Sequence, residues 1–169
     1  INFSRRRDKT LQFLAIDSTG HFSSVGFFEQ SNNELSINAY GDNFSGEQKK
    51  TAINILTSDI MKNVSFNNLE FIAVSIGPGS FTKIRSSLSF AKGLSFGLKV
   101  PVIGINGFNK LYDISKTYKQ DNTGLLMISD TFRKTSFVSL QNIDNKKTFN
   151  NEINIITMND IKNIEKIRS

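Results

Sequence analysis

The segment that most constrains the fold runs from a buried strand through a glycine-rich turn into a helix. Leu69 to Ile76 (LEFIAVSI) is a nearly continuous apolar run, which is typical of a strand covered on both faces of a sheet. The run ends at Gly77-Pro78-Gly79, and apolar residues at helical spacing follow as far as Pro101. Because strands joined through a helix lie parallel and the crossover is right-handed, this segment predicts an α/β fold.

The neighbouring segments predict a mixed sheet. Strands are expected at Leu11–Asp17, Phe22–Phe28, Leu35–Tyr40 and Val102–Ile105, and helices at Glu47–Lys62, between Thr82 and Pro101, and at Phe108–Lys119. The first three strands precede any helix and are expected to be antiparallel, whereas the later strands are separated by helices and are expected to be parallel. This order matches the actin-like ATPase, or ribonuclease H-like, half-domain.

A second half-domain is predicted to begin after a polar linker at Lys119 to Thr123. Further strands are expected at Leu125–Ile128 and Ser136–Leu140, and an amphipathic helix at Met158–Ile167. We therefore predict a first actin-like half-domain over residues 1–119 and a shortened, partial second half-domain over residues 120–169.

The composition narrows the chemistry that the chain can carry. It contains no Cys and a single His, so that a thiolate nucleophile is excluded and zinc, haem and iron–sulfur sites lose their usual ligands. The single histidine, His21, is interpreted as an ordinary turn residue. We predict no catalytic residue and no metal ligand, although carboxylates alone could still hold Mg²⁺.

The formal net charge of +6 raises the alternative of a basic RNA-binding module. Arg, the better residue for recognising phosphates and bases, is scarce next to Lys, which weakens this alternative. No apolar stretch approaches the roughly 20 residues that a membrane span needs, and the basic start is not followed by a secretory signal. We therefore expect a cytoplasmic protein without membrane contact.

Two loops carry candidate phosphate-binding residues. In the loop from Gly77 to Thr82, the glycines allow close backbone approach, and the helix that follows offers unpaired N–H groups to an anion. The same loop would also serve as a tight turn in which Ser80 or Thr82 caps the helix. Asp17, with Ser18 and Thr19, follows the first strand, where its carboxylate either orients Mg²⁺ and phosphates or makes an Asx-turn.

A ridge of small residues is predicted on the second helix, where Ser89, Gly93 and Gly97 lie four residues apart beside Phe90. Such a ridge lets another helix approach closely. Each Gly in a helix interior costs about 1 kcal/mol relative to Ala, so that packing is expected to compensate. From these residues alone, the packing partner could belong to this chain or to another chain.

These features together resemble the bacterial TsaB (YeaZ) family. The likeness is carried by Ile76 to Thr82, Ile84-Arg85, Ala91 to Leu94 and Pro101 to Ile105, and Asp17 to Thr19 fit the opening turn of the family. It extends over roughly residues 11–140, and the Gly-Pro-Gly-Ser-Phe-Thr run with its downstream Ala-Lys-Gly is its most specific part.

The resemblance implies an actin-like fold and a subunit of the machinery that places threonylcarbamoyl on the adenosine beside the tRNA anticodon. TsaB proteins are non-catalytic paralogues that scaffold the catalytic TsaD subunit, with TsaE as a third, ATPase partner. The implied partners are therefore a TsaD homologue, a TsaE homologue or a second copy of this chain, with tRNA reached through the complex. No cofactor of the chain's own is implied, and ATP or ADP at the subunit junction is left open.

The resemblance also assigns site residues. A partner interface is expected on the first two helices, at Ser89, Phe90, Gly93, Gly97, Ala52 and Leu56. Remnants of a phosphate or nucleotide loop are expected at Asp17, Ser18, Thr19, Gly77, Gly79, Ser80, Thr82 and Arg85.

Two residues depart from the family pattern in these regions. Lys83 stands where the family generally has Gly, and a cation at the start of a helix opposes the helix dipole. Phe44 begins a Phe-Ser-Gly run that replaces His-Ser-Glu before the first helix. An ATP-dependent phosphotransferase of the same fold is the alternative from a different class, although neither a second phosphate loop nor an adenosine loop is evident after residue 120.

Overall fold

The computed structural model describes residues 10–31, 34–42, 52–115, 117, 124–130, 135–142 and 154–157. The strands and helices in this part of the chain are β1 Leu11–Asp17, β2 Ser24–Ser31, β3 Glu34–Asp42, α1 Ile53–Met61, β4 Leu69–Ser75, α2 Phe81–Leu98, β5 Val102–Ile105, α3 Gly107–Ser115, β6 Gly124–Asp130, β7 Thr135–Asn142 and β8 Asn154–Thr157. Of the helices described, none is both long enough and apolar enough to span a bilayer.

The chain divides into two compact units. One unit consists of Ile1–Ser75 with Thr82–Gly104, and the other of Ile76–Phe81 with Ile105–Ser169. α3, which the sequence placed in the first half-domain, packs against β6 in the second unit. The boundary between two half-domains at residue 119, which the sequence predicted, stays a prediction.

A five-stranded sheet has the order β3-β2-β1-β4-β5. β2 is antiparallel to both β1 and β3, and β1 is parallel to β4. The Ile72 N–H donates to the Pro101 carbonyl and the Ile76 N–H to the Ile105 carbonyl. Because the residue numbers of the donors and of the acceptors rise together, β5 is parallel to β4. The mixed sheet predicted from the order of strands and helices is confirmed.

The core of the first unit lies on one face of this sheet. Alternate residues of β1, β2 and β4 face it and are at most 2% exposed, namely Leu14, Ile16, Val25, Phe27, Ile72 and Val74. The cluster is completed by residues of α1 and α2, of the segment that leads into β4 and of the start of β4, namely Leu56, Ile60, Ala91, Phe66 and Leu69. The core therefore follows the two-residue period of the strands and the helical period of α1.

Three phenylalanines at directly paired positions stack across neighbouring strands. The ring of Phe13 in β1 lies 5.1 Å from that of Phe28 in β2 and 4.8 Å from that of Phe71 in β4, measured between centroids. Because aromatic pairs across strands stabilise their pairing, this row supports the order β2-β1-β4 at the centre of the sheet.

The helix boundaries differ in part from those predicted. α1 is described from Ile53, and the predicted start at Glu47 lies outside the described residues. α2 begins at Phe81, which places Thr82 inside the first turn and not at its cap. At its other end Lys99 has a φ of 57°, and the Val100 N–H bonds to the Ser95 carbonyl, so that the helix ends before Pro101.

The second unit contains an antiparallel sheet of order β6-β7-β8. Met127 of β6 and Val138 of β7 are each 3% exposed, and Phe108 of α3 is 2% exposed. β8 was not predicted, because four residues (NIIT) are too short a window for period to distinguish strand from helix. α3 is described as far as Ser115, and both the predicted helix end at Lys119 and the predicted helix at Met158–Ile167 lie outside the described residues.

Candidate functional site

The outer face of α2 consists of Ser89, Gly93, Phe96 and Gly97, which are all exposed. Phe96 is 89% exposed. A Cβ atom added at Gly93 or Gly97 would meet nothing within 4 Å, apart from the backbone of the helix itself. Within the described residues, therefore, the ridge of small residues predicted from the sequence is not packed against its own chain.

Phe96 is the residue of this face that sequence analysis missed. It follows Gly93 by three positions and Ser89 by seven, so that it falls on the same side of the helix. Its spacing was a usable signal, but an apolar residue in a helix is more often assigned to the core. The structure instead places the ring in solvent beside the two glycines.

The inner face of α2 packs against the core of its unit. Ser87 and Ala91 are fully buried, and Leu88, Phe90 and Leu94 are half-buried against the core cluster. Phe90, which the sequence placed on the partner surface with the small residues, therefore contributes to the core. Its ring packs against the core cluster although it lies three residues before Gly93 and seven before Gly97, so that Phe90 stands at the edge of the ridge and its contact with a partner stays a prediction.

The residues of α1 also fall on a core side and a solvent side. Leu56 is 3% exposed and belongs to the core cluster, so that the predicted contact between its side chain and a partner is corrected. Ala52 is exposed immediately before the helix. Ile55 and Met61 are 40% and 49% exposed and form the apolar part of the outer side of α1. The period of the apolar residues predicted the helix. However, the residues that show this period lie on the core side of the helix and not on the side that faces solvent.

Asp17 at the end of β1 closes an Asx-turn. Its Oδ1 accepts the Thr19 N–H at 3.0 Å and the Thr19 hydroxyl at 2.8 Å. Ser18 is 1% exposed and donates its hydroxyl to the carbonyl of Lys83 at 3.0 Å. Of the two interpretations that the sequence left open for Asp17, the turn-forming one has direct geometric support.

Lys83 contacts the same turn from α2. Its Nζ donates to the carbonyl of Gly20 at 3.0 Å and to that of His21 at 2.6 Å. The turn between β1 and β2 is thus joined to α2 by both the backbone and the side chain of Lys83.

The glycine loop that follows β4 belongs to the second unit as far as Phe81. Gly77 has a φ of 109°, in the region that favours glycine. Its carbonyl accepts the Gly107 N–H at 2.7 Å, and a Cβ at Gly107 would lie 3.2 Å from that oxygen. The backbone of the loop therefore lies close to the start of α3. This close contact favours the interpretation of the loop as a tight turn.

The predicted phosphate-loop remnants are divided between the two units. The first unit holds Asp17, Ser18, Thr19, Thr82 and Arg85, and the second holds Gly77, Gly79 and Ser80. Among the residues that the structure describes, no three His, Cys, Asp or Glu side chains are grouped so that they could hold a metal ion.

The charges of α2 have one sign. The helix carries Lys83, Arg85 and Lys92, and it contains no Asp or Glu. Arg85 and Lys92 are exposed. A surface that approaches this helix would therefore be attracted if it carried carboxylates and repelled if it carried cations.

Sequence comparisons identify relatives of this chain. The profile of the family described as TsaD, tRNA N6-adenosine threonylcarbamoyltransferase, matches residues 46–168. The tRNA threonylcarbamoyladenosine biosynthesis protein TsaB of Buchnera aphidicola (subsp. Schizaphis graminum) is 31% identical over 94 residues, which are 55% of this chain and 43% of that protein. TsaB of Escherichia coli is 29% identical over 98 residues, 57% of this chain and 40% of its own length. The chain thus spans about two fifths of these relatives.

A solved structure, YeaZ from Pseudomonas aeruginosa, superposes with a TM-score of 0.62 at 17% sequence identity. The match covers 87% of this chain and 68% of that one. It confirms the actin-like, ribonuclease H-like α/β fold that the order of strands and helices predicted. Together with the TsaB relatives, it also confirms the resemblance to the TsaB (YeaZ) family.

Proposed function

The chain belongs to the family described as TsaD, tRNA N6-adenosine threonylcarbamoyltransferase, and we propose that it acts in tRNA threonylcarbamoyladenosine biosynthesis as a non-catalytic scaffold. In this role it binds a catalytic TsaD homologue and holds it in the conformation that transfers threonylcarbamoyl to the adenosine beside the anticodon. The relatives named TsaB support the process, and the open outer face of α2 supports the scaffold role.

The outer face of α2 is the observation that carries the proposal. Two glycines in a helix interior cost about 1 kcal/mol each relative to Ala. Phe96 leaves in water a ring whose full burial is worth about 1.5–3 kcal/mol. Nothing in the described chain compensates these costs, whereas a helix packed on Gly93 and Gly97 would do so by close approach.

The charge of α2 specifies the chemistry of that partner helix. Arg85 and Lys92 are exposed on a helix without acidic residues. We therefore expect the docking helix of the TsaD homologue to present small residues opposite the glycines and carboxylates toward these cations. A second copy of this chain would bring cations against cations, so that charge favours the heterodimer over a homodimer.

The available side chains favour a supporting role over catalysis. The chain has one His and no Cys, and the carboxylate of Asp17 accepts two hydrogen bonds that build its own turn. We propose that the chain has no cofactor of its own, that ATP or ADP binds only at the junction with another subunit, and that a TsaE homologue and tRNA join through the TsaD homologue.

Co-expression of this chain with the TsaD homologue from its own genome, followed by mass determination by light scattering, tests the proposal. We expect a one-to-one or two-to-two complex. The matched variant is Gly93→Leu, because its Cβ has free space in the chain itself and the larger side chain can only obstruct a partner. Asn68→Leu is the control, because it adds the same side chain at an exposed position in the turn before β4.

The outcomes separate the scaffold from its alternatives. Clean separation of the wild-type chain from the TsaD homologue contradicts the proposed function. A complex that survives Gly93→Leu as well as Asn68→Leu leaves the scaffold role intact and moves the interface away from α2. Formation of threonylcarbamoyladenosine by the TsaD homologue in vitro should require the wild-type chain and should fall with Gly93→Leu.

A further inference from the structure

Lys83 occupies a position at which its charge is unfavourable for the helix. It is the third residue of α2, and the first turn of that helix contains no acidic residue. A cation there opposes the partial positive charge of the helix N-terminus. A compensating contact is therefore expected, and the structure supplies it outside the helix.

That contact joins positions far apart in the sequence. The ammonium group of Lys83 donates to the carbonyls of Gly20 and His21, which lie 63 and 62 residues away along the chain. The backbone carbonyl of Lys83 in turn accepts the hydroxyl of Ser18, which is 65 residues away and 1% exposed. One residue thus fixes both the buried start and the exposed tip of the turn between β1 and β2.

The two carbonyls face the ammonium group as they would face a bound cation. Carbonyl oxygens are acceptors only, and an ammonium group supplies three donors, so that one lysine side chain can donate to both oxygens. The start of the turn is fixed separately by the Asp17 carboxylate on Thr19. The Asp17 carboxylate and the carbonyls of Gly20 and His21 therefore each have a partner within the chain.

We propose that Lys83 is an internal cation that locks the Asp17–Phe22 turn against α2, so that this turn is ordered without an external ligand. The carbonyls of Gly20 and His21 then have a cationic partner within the chain itself. This inference concerns the first unit by itself and does not rest on the proposed function.

Amide hydrogen exchange of the wild-type chain and of Lys83→Met tests whether Lys83 holds the Asp17–Phe22 turn against α2. Methionine keeps most of the length of the side chain and removes its charge and its donors. We expect the exchange rate of the amides from Thr19 to Phe22 to rise about fivefold. The loss of a fully buried hydrogen bond to a charged group would raise it about tenfold or more, but Lys83 is only half-buried. Exchange in β4 should not change, which establishes that the unit remains folded.

Lys92→Met is the matched control, because Lys92 is exposed on the same helix. It removes the same charge and should leave the turn at its wild-type exchange rate. Equal exchange of the turn in wild type and Lys83→Met overturns the proposal. So does an equal rise in Lys92→Met, because the effect would then come from net charge and not from the contact.

A rescue experiment distinguishes the cation from the side chain. Lys83→Ala removes the stem and the ammonium group together, and propylammonium replaces both from solution. Added propylammonium should restore slow exchange of the turn, whereas tetramethylammonium at equal concentration should not, because it has no N–H donor. Rescue by both ions, or by neither, contradicts the assignment of Lys83 as a donor to these carbonyls.

Discussion

The inner and outer faces of α2 both carry small residues, but the two faces differ in what accounts for that small size. On the inner face, Ala91 and Ser87 are fully buried, and their small size is accounted for by that burial. On the outer face, Gly93 and Gly97 are equally small, but nothing within the described chain lies over them. Small residues therefore have one cause on the inner face and require another on the outer face.

This difference separates folding from association. Residues of the inner face are accounted for by the stability of the unit that contains them. The glycines and Phe96 of the outer face lower the stability of the isolated helix or leave apolar surface in water. A partner helix removes both costs, and substitutions that address one face at a time can therefore test the comparison.

The largest effect is expected at Leu56 on the core side of α1. Leu56→Ala should lower the free energy of unfolding by about 2–5 kcal/mol, because it leaves a cavity in the core. Ile55→Ala, one residue away and 40% exposed, should lower it by less than about 1 kcal/mol. Denaturant unfolding measures both values, and equal values for the two variants would remove the distinction between the two sides of α1.

A smaller effect is expected at Ala91 on the inner face of α2. Ala91→Leu inserts three carbon atoms where the wild-type residue has 0% exposure, and overpacking of this kind costs about 1–3 kcal/mol. The melting temperature of the isolated chain should fall accordingly. A melting temperature at or above that of wild type would show that the inner face is not tightly packed.

The effect changes sign at Gly93, two residues further along the helix. Gly93→Leu should raise the free energy of unfolding of the isolated chain by about 0.5–1 kcal/mol, because leucine has the higher helix propensity and its Cβ meets no neighbour. The same thermal or denaturant measurement applies. A clear loss of stability would mean that another part of this chain covers the outer face.

No measurable effect is expected when Mg-ATP is added to the isolated chain. Saturation at 100 times the dissociation constant would add about 2.7 kcal/mol of stability, which a melting experiment detects easily. The Asp17 carboxylate and the turn carbonyls already have partners within the chain. An increase of several degrees in the melting temperature would favour the phosphotransferase alternative. It would also weaken the proposal that the ligand of this chain is a protein and not a nucleotide.

Local sequence patterns predicted most of the central sheet. β1 and β5 have the bounds that the sequence indicated, because turn residues follow Asp17 and Pro101 precedes Val102. The order of strands and helices was sufficient for the fold class. The four-residue β8 was missed because so short a segment has no clear period.

The candidate site was predicted less completely, because it depends on orientation and on distant contacts. The spacing of Ser89, Gly93 and Gly97 identified a shared face, but it did not reveal that Phe90 and Leu56 turn toward the core. The contact of Lys83 with Gly20 and His21 joins positions more than 60 residues apart, which no local pattern encodes. Its signal was indirect, since the cation breaks the rule for charges at a helix start.

Whether the outer face of α2 binds a partner is tested most directly by the affinity of the TsaD homologue for the wild-type chain and for Gly93→Leu, measured by calorimetric titration. We expect the variant to bind at least about tenfold more weakly, a loss of about 1.4 kcal/mol, although the variant alone is as stable as wild type or more stable. Equal affinity of the two proteins would mean that no partner helix packs on the glycines of the outer face.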